Sequence, residues 1–478
     1  MKQNLILLPS DSDFGTLLSV NRRKSVFLQP NIQTLPMLGT KDLTVGPISR
    51  QLFNLAMPIM GTSFIQMAYN LIDIAWVGRI GSEAVSAVGA VSILTWMSAS
   101  IALLNKVGAE VSVGQSIGSR NQDDARQFAY HNIIIASIIS IVWGTLLFIF
   151  ADPILELFKL EESIHQQAIV FLRILSTGLP FVFLSAAFTG IFNAAGRSKI
   201  PFRISAIGLV MNMLLDPLFI FGMGWGTTGA AIGTWLSQAM VFLTFIYWIR
   251  YKENLLGGFF SFRRLKGRFV KRIFKLGLPV AALNTLYAFV NLFLSRTASE
   301  QGRHLGLMAF TTGGQIEAIT WNTSQGFSTA LSTFVAQNYA AGRKERVIKA
   351  WKITIIMTSI FGTLCSLLFI LYGNEVFSIF VPEPQAYAMG GEYLRIDGYS
   401  QMFMMMEITM QGIFYGLGYT LPPAIVSISL NYARIPIALF LIKMGMGVDA
   451  IWWAVSGTTI AKGIVLSAWF LLIRKKIS

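Results

Sequence analysis

Apolar segments of twenty or more residues recur along the whole chain, and they restrict its fold more than any other feature. A helix needs about 20 residues to cross a bilayer, whereas a membrane-spanning barrel strand needs about 10 residues with strict alternation. Of the 478 residues, 54% are hydrophobic and only 13% are charged, which is outside the balance of a soluble domain. We therefore predict an all-α polytopic membrane protein with twelve transmembrane helices. The predicted spans are residues 51–77, 84–113, 128–151, 167–193, 201–222, 229–250, 272–295, 306–337, 347–372, 388–416, 423–443 and 449–473.

Charge is distributed unevenly between alternate loops. Basic residues crowd into segments 196–203, 250–275 and 342–349, which all fall on one side of the membrane if the helices alternate in direction. The opposite loops, 151–167 and 373–385, lean acidic. This asymmetry follows the positive-inside rule, so we expect a multi-pass protein of the plasma membrane with both termini in the cytoplasm. The net charge of +15 then reflects orientation and contact with anionic lipid headgroups, and we expect no nucleic-acid partner.

The segments outside the predicted helices suggest the domain organisation. Residues 1–45 lack the apolar core of a signal peptide, so we expect a cytoplasmic tail that is poorly ordered, with Met37 as an alternative start of translation. We expect an N-terminal six-helix lobe over residues 46–250 and a C-terminal six-helix lobe over residues 272–478. The basic segment 251–271 is the expected cytoplasmic linker between them.

The two halves of the chain resemble each other at an offset of about 220 residues. The motif "VFLRI" at 170–174 returns as "EYLRI" at 392–396, and "TGIFNAAGRSKIP" at 189–201 returns as "QGIFYGLGYTLP" at 411–422. Because each half holds an even number of predicted helices, the two copies keep the same orientation in the bilayer. They are therefore parallel repeats, and transporters built from such repeats place their binding sites in the cleft between the halves.

One carboxylate interrupts the apolar segment "MNMLLDPLFIF" at 211–221. Asp216 follows Asn212 by one helical turn and directly precedes Pro217. When the two halves are aligned on their prolines, the second half carries Ile435 in place of Asp216, so the shared scaffold does not require the acid. A charge inside the membrane is costly, and such residues usually face a cavity or a partner. We therefore interpret Asp216 as a functional residue.

Two further side chains are predicted to join this carboxylate. Asp73 on the first helix and Thr234 on the sixth lie at a depth similar to that of Asp216, roughly 8–9 Å below the outer boundary at about 1.5 Å per residue. Asn212 lies one turn deeper than Asp216 on the same helix face. The sequence therefore predicts that four oxygen-bearing side chains converge inside the first lobe.

Such a cluster is suited to a monovalent cation. Two carboxylates in a poorly solvated pocket repel each other, so at least one of them is expected to hold a proton at neutral pH. Na⁺ is the alternative, because carboxylate, amide and hydroxyl oxygens are ligands for hard cations. A purely structural hydrogen-bond cluster is the remaining possibility. We expect no cofactor and no metal beyond Na⁺, since Cys365 stands alone and the three histidines lack metal-ligand spacing.

Acidic and aromatic residues of other helices are candidates for a substrate cavity. Glu317 and Glu407 are predicted near the middle of the membrane in the second lobe, where they could attract cationic compounds or serve as hydrogen-bonded acids within the lobe. Tyr69, Tyr287 and Tyr415 could form an adaptable wall for apolar cations, or pack in the core.

Other unusual residues concern conformational change. Lys106 and Glu110 lie four residues apart on the second helix, a spacing that favours an ion pair within the helix, with a gating role as the alternative. Pro58, Gly78 and Pro217 are candidate hinges, because helices bend most readily at such residues.

The motifs around these residues resemble those of the multidrug and toxic compound extrusion (MATE) family, in its DinF-like and NorM-like branch. The resemblance covers about residues 41–474. It implies twelve helices in two lobes, alternating access, and export of organic cations in exchange for H⁺ or Na⁺. The cation-coupling site of members with a site in the first lobe falls on Asp73, Asn212, Asp216 and Thr234. The motifs are Pro58 followed by "DIAWVGRIGSEAVSAVG" (73–89), "VGQSIGSRNQDDA" (113–125), "GRSKIPF" (196–202), "NMLLDPLFIFGMGWGTTGAAIGT" (212–234) and "KLGLP" (275–279).

Other functions compete with that of an antiporter. An exporter of lipid-linked saccharides or of metabolites with a related fold would favour a strongly cationic central cavity, whereas acids dominate the charge that we predict inside the membrane. A membrane-embedded enzyme would need a catalytic set, and the sequence contains no H-E-x-x-H motif, so we expect no catalytic residues. A passive channel would not need buried acids. The expected partners of the antiporter, which we expect to be a monomer, are small organic cations and membrane lipids.

Overall fold

The structure is a computed structural model, and it describes residues 39–253, 255 and 265–477. The expectation for the N-terminal tail therefore falls largely outside the described residues, as does the middle of the expected linker. The regular elements of the described residues are helices, and their bounds are α1 (Ile48–Gly78), α2 (Ser82–Gly118), α3 (Gln122–Ile149), α4 (Ala151–Glu156), α5 (Glu162–Ala194), α6 (Lys199–Pro217) with a π-helical turn (Leu218–Gly222), α7 (Gly226–Tyr247) with a second π-helical turn (Trp248–Glu253), α8 (Gly267–Ala340), α9 (Lys344–Ser378), α10 (Pro384–Leu417), α11 (Leu421–Lys443) and α12 (Asp449–Ile477).

These helices cross the membrane twelve times, as predicted. Nine helices in the described part of the chain are long and apolar enough to span a bilayer. One of the nine, α8, contains two passes, because its 74 residues are interrupted by a left-handed backbone at Arg303, with φ of 53°. The helices α1 and α10, at 31 and 34 residues, complete the twelve. The segment 296–305, where we expected a loop, is therefore helical except at Arg303, which directly follows Gly302.

The helices form two six-pass lobes. We call α1–α7 the N-terminal lobe and α8–α12 the C-terminal lobe. The N-terminal lobe buries two apolar clusters, one with Phe183 and one with Phe188, and the C-terminal lobe buries a cluster that includes Trp452 and Phe377. Large apolar side chains on the outside of the bundle are exposed, as expected for surfaces that contact lipid.

The first helix packs into both lobes. Near its beginning, Leu52 and Leu55 are buried in one apolar cluster with Phe334 of the C-terminal lobe. Near its end, Val77 is buried among side chains of the N-terminal lobe. A change in the relative position of the lobes must therefore tilt or bend α1.

The two lobes contact each other at the end of the bundle where α1 begins. We call it the basic end, because Arg343 and Arg346 lie there. Gln115 of α2 donates a hydrogen bond to the carbonyl of Gly416 in α10, at 3.1 Å, and accepts one from Arg272 of α8, at 3.0 Å. These bonds join the N-terminal lobe to the C-terminal lobe, so the bundle is closed at this end.

A short segment before α1 adds to this closure. Residues 39–46, which we call the strap, run between the lobes at the basic end. The N–H of Lys41 donates to the carbonyl of Ala195 in the N-terminal lobe, at 2.8 Å. The N–H of Leu43 donates to Oε1 of Gln337 in the C-terminal lobe, at 3.1 Å. The strap therefore ties the two lobes together through its own backbone.

Candidate functional site

The centre of the N-terminal lobe contains the buried carboxylate of Asp216. Only 1% of Asp216 is exposed, and Nδ2 of Asn212 donates to both of its carboxylate oxygens at 3.0 Å, across the one-turn spacing that the sequence predicts. The helix continues through Pro217 and then widens into a π-helical turn, a feature that often accompanies functional sites. Gly233 of α7 faces Asp216 so closely that a Cβ there would overlap its carboxylate.

Asp73 brings a second carboxylate to the same place from α1. Its side chain interacts with those of Asp216, Asn212 and Thr234, so the structure brings together all four residues that the sequence predicts to converge. Thr234 reaches the cluster from a greater depth than expected. Since α7 begins at Gly226, Thr234 lies about 12 Å along the helix at about 1.5 Å per residue.

Several buried oxygen atoms around the two carboxylates lack a hydrogen-bond partner. They are Oδ1 of Asp73, Oδ1 of Asn212, the hydroxyl of Tyr69 and the hydroxyl of Ser237. The tyrosine interacts with both Asp73 and Ser237, so these atoms belong to one cluster. Buried polar atoms in folded proteins are normally paired, so this group of oxygen atoms is suited to a proton, a cation or a bound water. The set of carboxylate, amide and hydroxyl oxygens fits Na⁺ as well as H⁺.

The two carboxylates of this cluster have no basic partner within the part of the chain that the structure describes. Neither Asp73 nor Asp216 forms an ion pair with a lysine, arginine or histidine there. Their neighbours are neutral, namely Asn212, Thr234 and Tyr69. Two negative charges without a counter-charge are unstable in a medium of low dielectric constant, so this arrangement favours protonation of one carboxylate or binding of a cation.

In the C-terminal lobe, by contrast, a buried acid has a basic partner. Oε2 of Glu407 forms a buried ion pair with Nζ of Lys462, at 2.9 Å. Its other oxygen accepts hydrogen bonds from Ser427, at 2.7 Å, and from Gln411, at 3.1 Å. Of the two roles considered for Glu407, this geometry favours a hydrogen-bonded acid within the lobe.

A second group of charges in this lobe surrounds Arg434 of α11. Its guanidinium donates to the hydroxyls of Thr458, at 3.0 Å, and Thr459, at 2.9 Å. It also interacts electrostatically with Glu317 and with Asp397.

Each acid of this group also has hydrogen-bonding neighbours of its own. Oε2 of Glu317 accepts a hydrogen bond from the hydroxyl of Tyr393, at 3.3 Å. Asp397 accepts hydrogen bonds from Ser400, at 3.2 Å, and from Gln401. Glu317 is half-buried, whereas Asp397 is almost fully buried.

Three charged residues of the C-terminal lobe escaped the sequence analysis. Asp397, Arg434 and Lys462 are 2%, 4% and 6% exposed. Acids still outnumber bases among the buried charges of the described helices, but two bases that the sequence analysis did not predict lie beside three acids of this lobe. A signal was present in the sequence: Arg434 lies within the segment aligned with Asp216, one position before Ile435.

The three candidate tyrosines do not form one wall. Tyr69 belongs to the N-terminal cluster around Asp73. Tyr287 lies beneath Arg434, whose Cζ is 5.8 Å from the centre of the ring. The hydroxyl of Tyr415 donates to Gln411, at 3.5 Å, close to the ion pair of the C-terminal lobe. The three tyrosines therefore have different neighbours and do not form the predicted substrate wall.

Lys106 and Glu110 lie where the lobes meet. Glu110 interacts with Lys106, as the spacing predicts, and also with Asn193 of α5. It interacts in addition with Ser332 and Thr333, which belong to α8 of the C-terminal lobe. This contact between lobes at the closed end favours the gating role over a plain ion pair within the helix.

The candidate hinges occupy different positions. Pro58 lies inside α1, between the part packed in the C-terminal lobe and the part that carries Asp73, and its carbonyl accepts a hydrogen bond from Thr62 at 2.9 Å. Gly78 is the last residue of α1, and Pro217 immediately precedes the π-helical turn.

The expectation that the chain lacks the G-x-S-x-G motif is wrong, but the structure places this motif where its usual role is not possible. Residues 114–118, "GQSIG", match the G-x-S-x-G pattern of serine hydrolases. That role requires a sharp turn between a strand and a helix, whereas this pentapeptide lies inside α2. The hydroxyl of Ser116 donates to the carbonyl of Ser112, at 2.9 Å, as an ordinary helical serine does.

Comparison with known proteins agrees with this architecture. The MatE family model matches residues 58–218 and 270–440, which cover most of the described chain and both lobes. This chain belongs to the MatE family. The two matched ranges correspond to the two repeats, and the first includes Asp73, Asn212 and Asp216.

Several named proteins and solved structures are similar to this chain. The chain is 27% identical to the probable multidrug resistance protein NorM of Thermotoga maritima over 412 residues, which cover 84% of this chain and 87% of that protein. It is 24% identical to a protein named FAD transporter from Shewanella oneidensis over 354 residues, which cover 73% of this chain and 78% of the relative. A structure described as the outward-facing conformation of a multidrug resistance MATE family transporter has a TM-score of 0.86, with 21% identity, and covers 91% of this chain and 98% of its own.

Proposed function

We propose that this chain is a secondary active efflux transporter that exports organic cations in exchange for H⁺ or Na⁺ by alternating access. The observation that carries the proposal is the pair of buried carboxylates in the N-terminal lobe, Asp73 and Asp216, which have no basic partner among the described residues and whose Asp73 Oδ1 has no hydrogen-bond partner. The membership of the MatE family and the names of its multidrug relatives support the direction and the substrate class.

The coupling ion binds to the predicted cluster. A proton on one carboxylate removes the repulsion between Asp73 and Asp216 and allows them to share a hydrogen bond. Na⁺ would be held instead by the two carboxylates, Oδ1 of Asn212 and the hydroxyl of Thr234, and it would supply the missing positive charge. In both cases the ion occupies the cluster only when the cluster is accessible from the side where that ion is abundant.

Helix α1 links the ion to the movement of the lobes. One end of the helix carries Asp73, and the other end is buried in the core of the C-terminal lobe through Leu52 and Leu55. Neutralising Asp73 changes the position of the outer half of α1, and Pro58 allows that half to bend relative to the other. The inner half then changes the contact between the lobes and with it the shape of the central cleft.

The positive-inside rule gives the orientation. The basic end faces the cytoplasm of the cell whose plasma membrane holds the protein, so the described conformation is closed towards the cytoplasm. Opening requires the strap and the Gln115 contacts to separate, which makes them the cytoplasmic gate.

Transport into inside-out vesicles tests the proposal. Vesicles that contain the protein should accumulate a fluorescent organic cation when a proton or a sodium gradient is imposed. Collapse of the coupling gradient should abolish the accumulation, whereas collapse of the other gradient should leave it unchanged. Accumulation that survives the loss of both gradients would overturn the proposal.

Export of a metabolite is the second candidate, because one relative is named FAD transporter and the C-terminal lobe contains two buried bases, Arg434 and Lys462. Anionic groups favour such bases. Uptake of FAD by the same vesicles, with no uptake of organic cations, would favour this function over the first.

A further inference from the structure

An arginine occurs at the equivalent position of both lobes, but among the described residues only the C-terminal copy has a carboxylate partner. Arg173 lies eleven residues after Glu162, where α5 begins, and Arg395 lies eleven residues after Pro384, where α10 begins. The surrounding motifs, "VFLRI" and "EYLRI", identify the two arginines as equivalent positions of the repeat. Each lobe therefore places a cation at one height on its outer surface.

The C-terminal copy is neutralised by its own helix. The guanidinium of Arg395 forms an ion pair with Glu392, at 2.9 Å. The repeat puts Val170 in the position of Glu392, and 42% of that valine is exposed. In the described part of the chain no carboxylate pairs with Arg173, whose Cζ lies 5.8 Å from the ring centre of Phe148.

A groove adjoins the unpaired arginine. It has a volume of about 210 Å³, lies between α3, α5 and α7, and is lined by Phe148, Arg173, Ile174, Thr177, Ile232 and Trp235. Phe148 is 45% exposed on the outside of the bundle, so the groove opens towards the lipid rather than towards the cleft between the lobes. It is smaller than the about 300–1,000 Å³ of a pocket for a drug-sized ligand, and its lining is mostly apolar.

The guanidinium lies near the level of the lipid headgroups. Side chains on a helix tilt towards its N-terminus, and the N-terminus of α5 is at the end of the bundle opposite the basic end. Arg173 therefore extends towards that surface and reaches Phe148, which is one residue before the end of α3. An arginine in this position keeps its charge at the interface while its stem lies along apolar surface.

We propose that Arg173 and this groove bind an anionic phospholipid in the leaflet opposite the basic end. The guanidinium donates two parallel hydrogen bonds to the phosphate, because its planar donors match the spacing of two phosphate oxygens. Part of one acyl chain lies in the groove against Ile174, Ile232 and Trp235. The phosphate supplies to the N-terminal lobe the negative charge that Glu392 supplies to the C-terminal lobe.

Native mass spectrometry of the full chain tests the proposal with matched variants. The probes are phosphatidylglycerol and phosphatidylcholine, added in equal amounts to purified protein in detergent. The R173Q variant should bind phosphatidylglycerol about tenfold more weakly than the unchanged protein, as expected for loss of a hydrogen bond to a charged group. The R395Q variant, which changes the equivalent arginine, should bind it as the unchanged protein does.

A second variant keeps the test decisive if R173Q does not fold. V170E gives Arg173 the internal partner that Arg395 has, so it should also lose the preference for phosphatidylglycerol while retaining the arginine. An excess of inorganic phosphate should not displace the bound lipid. Equal retention of phosphatidylglycerol by the unchanged protein and V170E, or full displacement by inorganic phosphate, would overturn the proposal.

Discussion

The two lobes share one repeated scaffold, yet they bury charge in opposite ways. The N-terminal lobe encloses Asp73 and Asp216 among neutral partners, and several of the oxygen atoms there are unpaired. The C-terminal lobe pairs Glu407 with Lys462 and places Arg434 beside its other acids. A lobe that neutralises its own charge can remain in one state, whereas a lobe that lacks a counter-charge depends on an ion from solution. The difference supports the proposal that ion coupling belongs to the first lobe and that the second lobe provides a stable internal framework.

Helix α1 explains how an event in one lobe reaches the other. It carries Asp73 at one end and is buried in the C-terminal core at the other, with Pro58 between them. The buried network of the C-terminal lobe differs in this respect, because its acids lie beside two bases of the same lobe, Arg434 and Lys462.

The largest expected effect comes from removing the charge of the N-terminal cluster. Asp216→Asn should fold and insert but reduce substrate accumulation in gradient-driven vesicles to that of vesicles without protein, because the amide cannot exchange an ion. The C-terminal Asp397→Asn is the matched change of a buried acid and should retain coupled transport. Full transport by Asp216→Asn would contradict the assignment of coupling to this lobe.

Breaking the C-terminal ion pair should chiefly affect stability. Lys462→Met leaves Glu407 buried without a counter-charge, which should lower the free energy of unfolding by about 3–5 kcal/mol. The double variant Lys462→Met/Glu407→Gln removes both charges and should recover most of this loss, since Ser427 and Gln411 can still bond the amide. Thermal unfolding in detergent measures both. An unstable double variant would show that the pair itself, rather than charge balance, is required.

Filling the space beside Asp216 should have a smaller effect. Gly233→Ala places a methyl group against the carboxylate, and overpacking of this kind costs about 1–3 kcal/mol. The concentration of H⁺ or Na⁺ that half-saturates transport should rise. Gly457→Ala on α12 is the control, because a Cβ there meets open space. The same response in both variants would mean that the cluster is not specifically disturbed.

The smallest expected effect concerns the gate. Gln337→Ala removes the hydrogen bond from Leu43 and the one to the carbonyl of Ala194, each worth about 0.5–1.5 kcal/mol. The closed basic end should therefore open more often, and a cysteine introduced at Ala336 in a Cys365→Ser background should be alkylated faster. The control Gln166→Ala, at the opposite end, should leave the rate unchanged. An unchanged alkylation rate in Gln337→Ala would show that the strap is not part of the gate.

Much of the fold and of the N-terminal site could be predicted from the sequence. The lengths of the apolar segments gave twelve passes, and the one-turn spacing of Asn212 and Asp216 gave their contact. The depth of Thr234 was less accurate, because α7 begins at Gly226 rather than at Gly229 and the error in a helix end transfers directly to depth. A single sequence shows such boundaries only to within a few residues.

The C-terminal network could not be predicted in the same way. Lys462 and Glu407 lie on α12 and α10, far apart in the sequence, and their pairing depends on how those helices pack. Arg434 was not predicted either, although it lies inside an apolar segment. A base in such a segment carries the same information as an acid, because both must find a partner inside the membrane.

Measuring ion movement that is driven by substrate tests most directly whether the N-terminal cluster couples transport to an ion. Substrate-driven movement of H⁺ and Na⁺ should be measured in proteoliposomes for the unchanged protein, for Asp73→Asn/Asp216→Asn and for Lys462→Met/Glu407→Gln. We expect the N-terminal double variant to lose ion movement completely and the C-terminal double variant to retain it. Ion movement that persists without the two aspartates, but disappears without the buried ion pair, would contradict the account.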